Sequence, residues 1–239
     1  MSLIKILIVV TNVNIYASGN YPTGLWLSEL THIYHVAVVN GYELTIASPN
    51  GGEVPIDPES LKFFTLDKLS KKYWNDSKFK EILKNSKSLE SIKNENFDVI
   101  YLAGGHGTMY DFPDNTEIQN IISKQYESNK IVAAICHGVG GLLNVKLSNG
   151  DYLIKNKNLT GYDWFEEGLA RRKNEVPFNL EAALKERGAN YENAFIPMTS
   201  KVVVDGNLIT GQNPFSSKEM AKVVIKELEM KKKNQNLNL

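Results

Sequence analysis

The chain has 239 residues, 42% hydrophobic and 23% charged, which is enough apolar material for a sizeable core. Its 27 Lys plus Arg are balanced by 27 Asp plus Glu, so it has neither the broad basic footprint of a nucleic-acid binder nor an acidic scavenging surface. One cysteine, Cys136, excludes an internal disulfide and a Cys-x-x-Cys metal site, and a lone thiol fits a reducing compartment.

Ile4–Val10 is a continuous apolar run and predicts a strand buried on both faces. Lys5 interrupts it, and it has neither a basic leader nor a small-residue cleavage site, so it reads as strand and not as a signal peptide. No apolar run reaches the ~18 residues that span a bilayer, so a cytoplasmic protein with no membrane partner is expected. Thr23–Asn40 has helical periodicity, with Leu25, Leu27, Leu30, Ile33, Tyr34, Ala37 and Val38 on one side and Gly41 at the expected C-cap. Leu44–Ala47 predicts a second strand. Asn50–Asn96 opens with proline and glycine, turns lysine- and serine-rich, and reads as a cap-like insertion packed on the main fold. Phe97–Leu102 predicts a third strand, Asn115–Ser128 a polar-faced helix and Lys130–Ile135 a fourth strand. Val202–Val204 and Leu208–Thr210 make a hairpin around Asp205-Gly206, and Ser216–Met230 makes the last helix. Residues 1–230 are expected to form one domain. The lysine- and asparagine-rich tail, Lys231–Leu239, is expected to fray. Strands alternating with helices predict an α/β fold whose mostly parallel sheet is covered on both faces.

In such a sheet, ligands bind beyond the carboxyl ends of the strands. Four stretches arrive there: Thr11–Thr23, Gly104-Gly105-His106-Gly107, Cys136-His137-Gly138 and Gly211-Gln212-Asn213-Pro214. A buried strand ending at Cys136, with glycines at 138, 140 and 141, has the layout of a nucleophile elbow. A thiol at the start of a helix also feels the positive end of the helix dipole, which favours the thiolate. The histidines are His32, His35, His106 and His137, and none follows 137. Triads that place histidine well after the nucleophile are therefore excluded, and the base is His137 or comes from an earlier loop. Gly104–Gly107 lacks both phosphate-loop patterns and suits an oxyanion pocket built from the Gly105 and His137 main-chain N–H groups, with His106 beside them. Glu29 and His32 are three apart and share a helix face, but no third ligand accompanies them, so neither a metal nor another cofactor is expected.

Together these stretches resemble the ThiJ/PfpI superfamily, and within it the class of heat shock protein 31 chaperones and glutathione-independent glyoxalases (glyoxalase III). The matching motifs are Lys5–Thr11, Thr23–Glu29, Ala47–Gly52, Gly104–Thr108, Ala134–Gly138, Leu159-Thr160-Gly161 and Thr210–Pro214. The resemblance implies a flavodoxin-like three-layer sandwich, a homodimer and a stress-protective role. It implies that Cys136 is the nucleophile and His137 its partner. It implies too that a glutamate after the Thr-Gly motif completes the triad, Glu167 matching better by spacing than its neighbour Glu166. By the same resemblance Glu29 is the acid lying against the thiol. Val139-Gly140 departs from the proline and alanine that many relatives carry there.

The reading is a lyase that converts a small reactive aldehyde, methylglyoxal or glyoxal, to lactate or glycolate through a Cys136 hemithioacetal. The rivals are a cysteine peptidase or amidase using Cys136, His137 and Glu167, and a holdase chaperone or redox sensor.

Overall fold

The computed structural model describes residues 3–237. Its strands are β1 (Lys5–Val9), β2 (Glu43–Ser48), β3 (Lys87–Ser88), β4 (Val99–Leu102), β5 (Ile131–Ile135), β6 (Asn158–Leu159), β7 (Asn190–Tyr191), β8 (Val202–Asp205) and β9 (Leu208–Gly211). The helices are α1 (Leu27–Val39), α2 (Lys68–Trp74), α3 (Ser77–Lys84), α4 (Leu89–Ile92), α5 (Thr108–Asp111), α6 (Thr116–Glu127), α7 (Trp164–Leu169), α8 (Leu180–Glu186) and α9 (Ser217–Leu237).

The main sheet runs β3-β2-β1-β4-β5-β9-β8, and every neighbouring pair is parallel except the β8–β9 hairpin at one edge. β4 and β5 are buried along their whole length, which is why they read as unbroken apolar runs. Helices cover both faces of this flavodoxin-like sheet. α1 packs on α9, and α9 on β5 and β9, while α6 packs on β5. From β1 the chain moves outward through β2 and β3, then returns to β4 on the other side. The order reverses between β1 and β4, so a crevice opens beyond their carboxyl ends.

Three expectations change. α1 begins at Leu27, not Thr23, because Leu25 is held by another segment: its N–H donates to Pro55 O (2.8 Å) and its carbonyl accepts from Asp57 N (2.9 Å). Gly24 is required there, since a Cβ would lie 2.4 Å from Pro55 O. Glu29 thus sits in the first turn of α1. The Asn50–Asn96 segment is more than a cap. It supplies β3 to the sheet and α2, α3 and α4 to its surroundings, started by the side chains of Asp67, Asp76 and Ser88. Its Phe79, Leu83, Leu89 and Ile92 join the same apolar cluster as the sheet. Finally, α9 runs on to Leu237, so the stretch from Lys231 that composition predicts to fray is helical that far; residues 238 and 239 lie outside the described residues. Among the described residues, no helix is long and apolar enough to cross a membrane.

Candidate active site

The site forms where β1, β4 and β5 end. β5 delivers Cys136 at φ 57, a left-handed backbone that costs a non-glycine residue roughly 1–3 kcal/mol. The chain then tightens into a 3-10 turn over Cys136–Leu142 in place of the expected α-helix, and all seven residues are buried. The turn packs directly on the end of β4: a Cβ on Gly138 would lie 2.7 Å from Leu102 O. A Cβ at Gly140 would only touch Leu180 and Pro113 at 3.7 Å, an ordinary van der Waals contact, so sterics do not require glycine there.

The Gly104-Gly105 loop is equally constrained. Gly105 has φ 107, and a Cβ there would fall 2.2 Å from Gly24 O. The Trp26 N–H donates to Gly104 O (3.1 Å), which locks this loop to the start of α1. Main-chain N–H groups of both Gly105 and His137 then face the Cys136 sulfur. Two amides converging beside a thiol are donors of the kind an oxyanion would need.

Two side chains flank the thiol, and a third backs one of them. The Cys136 Sγ lies 3.3 Å from His137 Nδ1, and His137 Nε2 lies 2.7 Å from Glu167 Oε2. On the other side, Glu29 is fully buried and accepts the Gly104 N–H at Oε2 (2.7 Å). Its carboxyl group interacts with the Cys136 side chain, and among the described residues Oε1 has no other hydrogen-bond partner. Glu29 therefore faces Cys136 while His32 turns away to Asp67 (3.0 Å), so the two make no metal pair.

The electrostatics follow from burial. Desolvation raises Glu29 to about 8, against the lowering effect of Cys136 and the Gly104 amide. Burial and the neighbouring Glu29 push the Cys136 thiol up, against the His137 and Gly105 amides. The depressed, dipole-stabilised thiol expected from the sequence is thus replaced by a protonated one. Burial, then His106, lowers His137 to about 4, so its imidazole is neutral. Burial alone would raise Glu167, but His137 and His106 outweigh it and hold the carboxylate ionised.

Glu167 also accepts from a second ring, since His106 Nε2 lies 2.9 Å from Oε1. The His106 and His137 rings stack with centroids 4.0 Å apart, so the side chain expected beside the oxyanion pocket belongs with the triad. The ligand-type atoms of His106, His137 and Glu167 lie within 4.8 Å of one another, close enough to hold a divalent ion. The N···O distances of 2.7 and 2.9 Å are nonetheless those of charge-assisted hydrogen bonds that use both carboxylate oxygens.

Glu166 is built into a different network. It accepts from Met198 N (2.6 Å), Gln212 Nε2 (2.9 Å) and Asn213 Nδ2 (2.9 Å). Asp163 caps α7 by accepting the Glu166 N–H at 2.6 Å and binds Gln212 Nε2 at 3.1 Å. The Thr210–Pro214 stretch thereby fixes α7, and α7 aims Glu167 at the histidines. Sequence reasoning did not identify Tyr162, whose ring stacks on His137 (4.3 Å), nor Tyr16, which is buried against His106 (5.5 Å). Arg172 lies over both Tyr16 and Tyr21 and closes the outer side of this aromatic wall.

Sheet, elbow and buried thiol define a class, and residues 23–227 match the DJ-1/PfpI family: the chain belongs to that family. It is 30% identical to the glutathione-independent glyoxalase hsp3101 of Schizosaccharomyces pombe, over 93% of this chain and 95% of that protein. The Rapid Encystment Protein 24 kDa of Francisella tularensis superposes with a TM-score of 0.90 at 41% identity, covering 95% of this chain and 99% of that one. Glyoxalase III of Candida albicans superposes with a TM-score of 0.82 at 29% identity, covering 94% and 97%.

Proposed function

We propose that this protein is a glutathione-independent glyoxalase that converts methylglyoxal and glyoxal to lactate and glycolate. The observation that carries the reading is the Glu29 carboxyl group against the Cys136 thiol, opposite His137. A hydrolase triad needs no second acid on the sulfur, whereas moving hydrogen between two adjacent carbons needs a second proton carrier.

Cys136 gives its proton to the free lone pair of His137 Nδ1 and adds to the aldehyde carbon, forming a hemithioacetal. The Gly105 and His137 N–H groups hold the oxyanion, which takes the proton back from His137. His137 then removes the hydrogen of the aldehyde carbon, and Glu29, protonated at neutral pH, supplies a proton to the neighbouring carbon. The hydroxyl hydrogen moves across to the neighbouring oxygen, and that oxygen relays the His137 proton back to Glu29. The aldehyde carbon ends oxidised as a thioester and its neighbour reduced to an alcohol, so no external oxidant is consumed. Water then releases the acid. The thiol is only 1% exposed, which suits a three-carbon aldehyde better than a peptide. Incubation with methylglyoxal without glutathione tests the reading; lactate is the expected product, and unchanged methylglyoxal overturns it.

The two adjacent glutamates give a contrasting pair of outcomes. Glu167→Gln keeps the shape but replaces an acceptor by a donor, so the His137 tautomer is no longer fixed, and turnover is expected to fall ~10²–10⁴-fold. Glu166→Gln is expected to retain turnover but lose about 1–3 kcal/mol of stability, because it serves Met198, Gln212 and Asn213. Kinetics and thermal melts of the two variants side by side check this, and the reverse pattern contradicts it.

A further inference from the structure

The triad contains one more base than triad chemistry uses. An ionised carboxylate has no hydrogen to donate, so Glu167 can satisfy two histidines only by accepting an N–H from each. Its two oxygens lie 2.7 Å from His137 Nε2 and 2.9 Å from His106 Nε2, which fixes both rings in the same tautomer. Each ring is left with a lone pair on Nδ1. That of His137 meets the Cys136 sulfur at 3.3 Å. That of His106 is buried and has no hydrogen-bond partner among the described residues. Leaving a buried acceptor unpaired costs roughly 1–3 kcal/mol, so the atom points to a ligand that donates a hydrogen to it. The His106 ring is stacked 4.0 Å from His137, one ring removed from the sulfur, and Tyr16 and Tyr162 wall it in.

We propose that His106 is the general base that activates water to release the acyl group from Cys136. This rests on the glyoxalase reading above and divides its two halves between two histidines. His137 serves formation and isomerisation of the hemithioacetal, and His106 serves hydrolysis of the thioester. Water donates one hydrogen to His106 Nδ1 while its oxygen bonds to the thioester carbon. The Gly105 and His137 amides hold the resulting oxyanion. The carbonyl reforms, the carbon–sulfur bond breaks, and the sulfur takes a proton from the Glu29 carboxyl group. The acid departs with the second hydrogen of the water. His106 then releases its proton to solvent and Glu29 regains one. Glu167 stays ionised throughout and steadies the positive charge on His106.

The test is pre-steady-state turnover of methylglyoxal by wild type, His106→Gln and His106→Ala, with and without hydroxylamine. Hydroxylamine attacks a thioester without help from a base; because it also condenses with free aldehyde, it is added by a second mixing after one equivalent of methylglyoxal per protein has been consumed. Each variant is expected to show a burst of one acyl group per protein, then a steady rate ~10²–10⁴-fold below wild type. Hydroxylamine is expected to release the acyl group that accumulates in the variants, with lactohydroxamate as product. The alanine variant covers the case in which glutamine disturbs the fold, and a packing defect alone would slow the burst as well. Lactate release at the wild-type rate, or slowing with no burst and no response to hydroxylamine, overturns the proposal. If wild type itself makes no lactate, the glyoxalase reading fails first; if wild type makes lactate and neither variant shows a burst, only the role of His106 fails.

Discussion

Cys136→Ala is expected to lower lactate formation from methylglyoxal by on the order of 10⁴-fold or more, because every later step runs on the carbon bonded to its sulfur. The fold should not suffer. The wild-type residue carries a left-handed backbone at φ 57 and a thiol whose ionisation is opposed by burial and by Glu29. Alanine removes the desolvated thiol without changing the backbone, and glycine at the same position would also remove the backbone strain. Both variants should therefore melt close to wild type, with Cys136→Gly at or above Cys136→Ala. An inactive variant of undiminished stability marks a position where stability is given up for chemistry. Lactate formation by Cys136→Ala within tenfold of wild type would remove the covalent mechanism.

Glu29→Gln separates chemistry from stability more sharply. The amide still accepts the Gly104 N–H, which lies 2.7 Å from Oε2 in the wild type, but it has no proton to pass on. Turnover is expected to fall ~10²–10⁴-fold. In wild type, kcat/KM should decline above about pH 8 as Glu29 loses its proton, and the variant should lack that limb. Stability moves the other way. The folded protein holds the Glu29 proton up to about 8, whereas the unfolded chain releases it near 4.5. Folding therefore takes up a proton within that window, and wild-type stability falls as pH rises through it, by at most ~1.4 kcal/mol per pH unit. The variant titrates nothing at this position. Its stability relative to wild type should rise with pH to about 8 and level off beyond. Denaturant unfolding of both proteins from pH 5 to 9 measures this, and a difference that shrinks with pH contradicts the assignment of a buried, protonated Glu29.

The sheet was legible because β1, β4 and β5 are buried on both faces and spell out continuous apolar runs. The polar-faced helix expected from Asn115 also forms, and the Asn115 side chain caps α6. The start of α1 was not legible, because Leu25 is in phase with the helix although its backbone pairs with Pro55 and Asp57 from a distant loop. The end of α9 was misread for another reason: lysine and asparagine suggest a frayed tail, yet lysine is also a good helix former. At the site, Cys136 and His137 stood out through the glycines around them, while Glu167 was marked only by the resemblance, through its spacing after the Thr-Gly motif. Glu29 carried no local signal, since a glutamate on an amphipathic helix is ordinarily solvated, and only resemblance marked it. The pairing of His106 with Glu167 joins residues 61 positions apart and is a product of the fold alone.

The most direct measurement of the central claim is an NMR time course of carbon-13-labelled methylglyoxal with the purified protein, without glutathione or a nicotinamide cofactor. The prediction is stoichiometric conversion to lactate, with the aldehyde carbon appearing as the carboxylate of the same molecule. Methylglyoxal that persists unchanged, while the same preparation cleaves a short fluorogenic peptide in a Cys136-dependent manner, would contradict the account and leave the triad as a peptidase.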